Sequence, residues 1–358
     1  MDLLLEAGVS IWLDDLSRQR IASGDLARDI TDRRVVGVTT NPAIFRGAIT
    51  AGTGYHDAIA AAASRGHDAE RAVHDLIIAD VQAACDVLAG VHRTTGGRDG
   101  YVSLEVDPRL AHDTDATIAA ALRLHADVDR PNVMIKIPAT PAGLPAISSV
   151  LEHGINVNVT LIFSVERYRD VLAAHAEGLA RAAARGWPLE SVASVASVFV
   201  SRLDSAVDPH LPSGSPLRGR AAVANAQLAY AEHLAWVATP EWADLAARGA
   251  QAQRPLWAST GTKDPAYTST KYVVELATPG AVNTMPSATL DAVLADAVPV
   301  ERAGASVDEA RQVIDVALRT SGLTYDEVVQ DLEDAGVTAF VEAWTGLLES
   351  VEARLRAR

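Results

Sequence analysis

The stretch Val133-Met134-Ile135-Lys136-Ile137-Pro138 decides how this chain is read. It is a short apolar run closed by a proline, the pattern of a buried parallel strand rather than of a half-exposed one. A lysine interrupts it. Burying an ammonium without a partner is costly, and such a lysine tends to give up its proton. A neutral, desolvated amine is a nucleophile toward carbonyl carbon and forms a Schiff base. The competing structural reading is a lysine paired with a buried carboxylate. Composition favours the nucleophile: of the 31 basic residues 28 are Arg, and the only lysines are Lys136, Lys263 and Lys271. Arginine serves wherever a plain surface cation will do, yet arginine cannot be deprotonated in a protein.

Seven more runs of the same kind flank this one: Ser10–Asp14, Val35–Thr40, Tyr101–Val106, Asn156–Leu161, Ser194–Val200, Pro255–Thr260 and Ala281–Pro286. Ala-rich amphipathic stretches separate them, as at Ala69–Leu88, Asp115–His125, Ser164–Arg185, Arg220–Ala238 and Val307–Arg319. Strands alternating with helices form right-handed βαβ units and a parallel sheet, and eight such strands point to a closed (β/α)8 TIM barrel. An open doubly wound sheet is the alternative, but no G-x-G-x-x-G turn follows the first run. The gaps after Pro42 and after Arg202 exceed one helix, so extra helices are expected there, with an irregular excursion at Asp208–Gly219. The segment after Val300 reads as a helical tail, about 301–358. No repeat or linker divides the chain, so one barrel domain over 1–358 is expected, with its strands between about 10 and 286.

Polar residues gather near the ends of these strands: Asp14; Thr39, Thr40 and Asn41; Glu105; Asn156, Asn158 and Thr160; Ser194 and Ser197; Ser259 and Thr260; Asn283 and Thr284. In a barrel, such residues at the C-terminal ends of several strands form the active-site mouth. Taken singly, each is as well explained by a satisfied core hydroxyl or a helix cap, and Asp15 and Ser17 suit a cap. Imine chemistry needs proton shuttles, and Asp14 and Glu105 are the strand-borne carboxylates. A one-residue slip would exchange Asp14 for Asp15. An anionic substrate would require local cations. Arg202, Lys263 and the turn at Ser259–Gly261 lie where barrels bind phosphate, although a charge-balancing role for Arg202 alone is nearly as good.

The net charge of −15 argues against nucleic acid as a partner. No apolar run is long enough to span a membrane. One cysteine, Cys85, and an N-terminal segment without a secretory pattern fit the reducing cytoplasm. No metal-ligand spacing occurs among the ten scattered histidines. Nothing in the composition specifies an oligomeric state.

Across residues 11–286 the segments Val38-Thr39-Thr40-Asn41-Pro42, Val102–Asp107, Ile135–Thr140, Ile155–Leu161 and Phe199-Val200-Ser201-Arg202 together resemble the transaldolase family, in its longer actinobacterial form. The resemblance implies a class I aldol mechanism with Lys136 as the Schiff-base lysine. Asp14 matches the carboxylate that exchanges a proton with the donor sugar's hydroxyl. Glu105 and Thr160 match the pair that holds the catalytic water. Thr39, Asn41, Asn158, Ser197 and Phe199 match sugar-contacting positions, and Arg202 with Ser259 matches the phosphate end. It further implies sugar phosphates as partners, in the pentose phosphate pathway. Sedoheptulose 7-phosphate and glyceraldehyde 3-phosphate would give erythrose 4-phosphate and fructose 6-phosphate, with no cofactor. Where familiar members carry an arginine two residues after the serine at 259, this chain has Gly261, and Lys263 is the nearest cation. A fructose 6-phosphate aldolase-like lyase and an inactive sugar-phosphate-binding barrel are the alternatives.

Overall fold

The computed structural model describes residues 1–295 and 306–357. Eight parallel strands follow one another around a closed ring: β1 (Ser10–Leu13), β2 (Val35–Thr39), β3 (Val102–Glu105), β4 (Val133–Pro138), β5 (Val157–Ile162), β6 (Ser194–Phe199), β7 (Arg254–Ala258) and β8 (Val282–Met285). β8 pairs back onto β1 from Ser10–Val282 to Leu13–Met285, which closes the barrel and excludes the open sheet. Most strands are a residue or two shorter than the apolar runs. Asp14, Thr40 and Thr260 lie just past the regular ladder, where the chain turns into its helices.

Strand periodicity sorts the side chains into two apolar clusters. Ile11, Leu13, Val133, Ile135, Ile137, Val157, Val159, Val198 and Trp257 face the surrounding helices. Trp12, Met134, Val195, Leu256 and Val282 fill the barrel itself. Residues two apart share a face, so Met134 inside implies Lys136 inside. The isoleucines that flank Lys136 in sequence point the other way. This corrects the expectation of an amine surrounded by apolar neighbours: its surroundings come from adjacent strands, and they are polar.

The long gaps hold the extra helices. After β2 come Pro42–Ala51, His56–Ser64 and Ala69–Thr94, and after β6 come Ser201–Val207, Ala221–Val237 and Pro240–Ala247. Asn41 caps the first of these through Ile44 N–H at 3.0 Å, and Pro42 occupies its first turn. The tail consists of the helices Val307–Ser321 and Tyr325–Arg356, the former started by a capping box between Ser306 and Glu309. Residues 301–305 and 358 of the expected tail lie outside the described residues. Ser17 caps the short helix Arg18–Ala22 as expected. Asp15 does not cap it; its carboxylate binds Arg20 at 2.7 Å and Ser287 at 3.0 Å.

The end of the barrel opposite the mouth is plugged by a polar knot. Asp99 accepts from Ser10 (2.8 Å), the Trp12 indole (3.0 Å) and Arg254 (3.0 Å). The Trp12 ring lies 2.4 Å from where a Cβ on Gly37 would stand, so only glycine fits there. Asn156, grouped with Asn158 in the sequence, belongs to this lower half. It braces the strand starts through Pro131, Val133 and Ala193. Asp99→Ala leaves the largely buried Arg254 guanidinium, still bonded to the Gly280 and Arg98 carbonyls, without its counter-charge and should lower the unfolding free energy by about 3 kcal/mol. The denaturant midpoint should fall while KM for sugar stays unchanged, because the knot is remote from the mouth.

Candidate active site

Register places three polar side chains in a row at the upper end of the barrel. Glu105 of β3 is opposite Lys136 of β4, and Lys136 is opposite Asn158 of β5. Lys136 is 4% exposed and Glu105 8%. The Lys136 Nζ donates to the Thr40 carbonyl at 3.2 Å and stands 3.7 Å from Glu105 Oε2, an ion-pair distance but too long for a hydrogen bond. Glu105 Oε2 is buried without a hydrogen-bond partner, and so is Thr160 Oγ1. Burial pushes the Glu105 carboxyl up to about 7, against the pull of the lysine charge. Orphaned buried oxygens, one of them beside the amine, are what a buried water or a reacting hydroxyl would satisfy.

Asp14 lies across the barrel. Its Oδ1 accepts from Thr39 at 2.6 Å, and Thr39 in turn meets Thr284 at 2.6 Å. Burial raises its carboxyl above the usual range, while the charge of Lys136, the Thr39 hydroxyl and the charge of Lys263 pull it back. Asp14, not Asp15, therefore shares the interior with Lys136. The two carboxylates around the amine hold protons to higher pH than free acids, as general acids and bases must.

A chain of hydrogen bonds orients the remaining polar groups. Ser197 donates to Asn158 Oδ1 at 2.7 Å, and Asn158 Nδ2 donates to Ser103 at 2.9 Å. Asn41 engages the helix that follows it through its side-chain oxygen, as noted above. Phe199 packs against Phe163 with ring centroids 5.3 Å apart. Arg202 stacks over Phe199 at 5.6 Å, and burial draws its guanidinium below the usual arginine range. The Ser259 hydroxyl meets Ser201 at 2.9 Å. Ser259 at φ +55° and Leu161 at φ +58° occupy the left-handed region where β7 and β5 end. Strain of this kind collects at functional mouths. Lys263 is exposed on the loop after β7, outside this buried group.

The sequence reading missed one contributor. The helix Tyr325–Arg356 packs Val337 and Phe340 against Leu161, Phe163 and Phe199. The Phe340 ring centroid is 5.9 Å from Lys136 Nζ. Glu333 on the same helix is 3.5 Å from Arg167, which donates to the Ala139 carbonyl just past β4. Nothing local in the tail signals this. The faint clue is scarcity: the chain has four phenylalanines, and Phe163, Phe199 and Phe340 converge here. Ser103 and Ser201 were also missed as partners, whereas Thr284, named among the strand-end residues, meets Thr39. Among the described residues no group of three or more His, Cys, Asp or Glu is placed to hold a metal ion, and no helix is long and apolar enough to cross a membrane.

A closed parallel barrel that keeps one amine beside two carboxylates belongs to the class of barrels equipped for carbonyl chemistry at a lysine. Comparison with known sequences narrows the class. The transaldolase/fructose-6-phosphate aldolase family matches residues 11–351, and the chain belongs to that family. Transaldolase 1 of Streptomyces avermitilis is 54% identical over 100% of this chain and 96% of its own length. The transaldolases of Saccharopolyspora erythraea and Mycolicibacterium smegmatis are 51% and 49% identical, each over 99% of this chain and 97% of their own.

Proposed function

We propose that this protein is a transaldolase that moves a dihydroxyacetone unit between sugar phosphates through an imine on Lys136. The family and the full-length relatives support the transferase activity and its sugar-phosphate partners. The observation that carries the mechanism is the buried Lys136 amine set 3.7 Å from a Glu105 oxygen that has no hydrogen-bond partner.

The amine sheds its proton toward the raised Glu105 carboxylate and attacks the ketose C2. Loss of water gives the iminium. Asp14 removes the C4 hydroxyl proton, the C3–C4 bond breaks, and its electrons collapse onto the iminium as an enamine while the aldose leaves. Addition to an acceptor aldehyde reverses these steps, and water held by Glu105 and Thr160 hydrolyses the final imine. The lysine is the electron sink, so the scheme calls on no cofactor. Sedoheptulose 7-phosphate as donor and glyceraldehyde 3-phosphate as acceptor would yield erythrose 4-phosphate and fructose 6-phosphate. Thr39, Asn41, Asn158, Ser197 and Phe199 line the sugar. Arg202, Ser259 and Lys263 receive the phosphate. Residues 1–358 act as one domain, because the terminal helix brings Phe340 to the amine. We place the reaction in the cytoplasm, where the single cysteine stays reduced.

A coupled assay of glyceraldehyde 3-phosphate release from fructose 6-phosphate, with and without erythrose 4-phosphate as acceptor, is the test. Acceptor-dependent turnover is expected, and equal release of free dihydroxyacetone without acceptor would make the protein a lyase instead. Glu105 supplies a pH signature. Its proton acceptance requires the ionised form, so kcat/KM should rise as pH increases through about 7. In Glu105→Gln that limb should disappear and kcat should fall by about 10²-fold or more. A pH profile of both proteins decides it.

A further inference from the structure

The loop between β7 and Lys271 carries Ser259 and Lys263, and it is tied down at both ends. At its start the Ser259 hydroxyl meets Ser201, and Thr260 donates to the Thr284 carbonyl at 2.9 Å. Further on it is gripped by the segment that follows β6. Tyr267 donates its hydroxyl to Asp208 Oδ2 at 2.6 Å. The same carboxylate accepts Gly219 N–H at 3.0 and 3.2 Å. Arg218 donates to the Asp208 carbonyl at 2.7 Å and to Asp264 Oδ2 at 3.0 Å. Gly219 has φ +71°, and a Cβ there would stand 2.8 Å from the Tyr267 ring, so a side chain would push the tyrosine off. Asp208, Arg218, Lys263, Asp264 and Tyr267 line one depression of about 270 Å³.

Asp264 is the immediate neighbour of Lys263. A carboxylate there would neutralise the lysine unless something else took it. Arg218 takes one of its oxygens, and the Ala266 N–H takes the other at 2.9 Å. The charge of Lys263 is felt instead at Asp14, inside the barrel.

We infer that Arg218, with Asp208, Gly219 and Tyr267, is a clasp that holds the β7 loop and occupies Asp264, so that Lys263 stays available to the phosphate group of the sugar. These are positioning residues and touch no substrate. The inference rests on the reading of Lys263 as a phosphate-binding cation, and it explains how a lysine four residues past Ser259 can serve where the turn itself ends in Gly261.

The experiment compares fructose 6-phosphate with fructose as donors to glyceraldehyde, using the full chain, and adds inorganic phosphate as a competitive inhibitor. Arg218→Ala should raise KM for fructose 6-phosphate and the inhibition constant of phosphate by about tenfold. It should leave kcat, and kcat/KM for fructose, within about twofold. Tyr267→Phe keeps the ring and should move the same constants in the same direction by a smaller factor, which guards against misfolding of the first variant. The double variant Arg218→Ala/Asp264→Asn should recover most of the lost affinity, because the competing carboxylate is gone. A merely structural role would not be rescued this way. Three results would overturn the clasp: equal losses for both donors, no rescue by Asp264→Asn, or an unchanged KM in Arg218→Ala when Lys263→Ala raises it. If Lys263→Ala itself does not discriminate between the donors, the phosphate reading falls, independently of the clasp variants.

Discussion

Lys136→Arg should abolish turnover. An arginine keeps the positive charge and much of the stem, but it cannot lose a proton to become a nucleophile. The expected fall in kcat is on the order of 10⁴-fold or more, the scale seen when a covalent nucleophile is removed. The same change should abolish borohydride trapping with fructose 6-phosphate, read as the absence of a mass increment on the peptide containing residues 133–138. Lys136 is deeply buried and lies near Glu105, Asp14 and Phe340. A larger guanidinium will crowd that space, so the folded state should be checked by near-ultraviolet circular dichroism. Lys136→Met is the smaller control. Trapping that persists in both variants would move the imine to another amine, and only Lys263 and Lys271 remain as lysines.

Asp14→Asn should separate imine formation from bond cleavage. The amide keeps the size of the carboxylate and can still engage Thr39, so sugar binding should change little. It cannot take the C4 hydroxyl proton, so kcat should fall by about 10²–10⁴-fold. Borohydride trapping should survive, or increase, because the imine forms and then stalls. Single-turnover mixing with fructose 6-phosphate measures both steps. A loss confined to KM would reduce Asp14 to a binding group. The matched control is Asp15→Asn. Asp15 is tied to Arg20 and Ser287 rather than to the interior, so that variant should lose some stability and keep its kcat.

Much of this molecule is readable from its linear sequence. Short apolar runs at βα spacing locate all eight strands, because a strand buried on both faces has no polar side to write into its sequence. The oddity of Lys136 is equally visible, since three lysines among 28 arginines is a compositional signal. Periodicity even assigns the amine a face once one neighbour is known to be inside. The capping signal at Ser17 marks a helix start, because a cap acts within a single turn.

What escaped reading involves distance along the chain. Whether Asp14 or Asp15 enters the barrel depends on where β1 meets β8, some 270 residues away, and a slip of one residue would reverse it. The neighbours of Lys136 are set by the register of β3 and β5, not by the isoleucines on either side. Phe340 reaches the amine only because the last helix crosses the mouth, and Arg218 reaches Asp264 only because two loops meet beyond β6 and β7. The amino-acid sequence by itself determined the alternation of strand and helix, and with it the barrel and its reactive amine, since these follow from local periodicity and burial. Only the tertiary structure decided which carboxylates face that amine, what covers it and which arginine occupies Asp264. Those outcomes depend on barrel closure and on contacts between segments that no local pattern encodes.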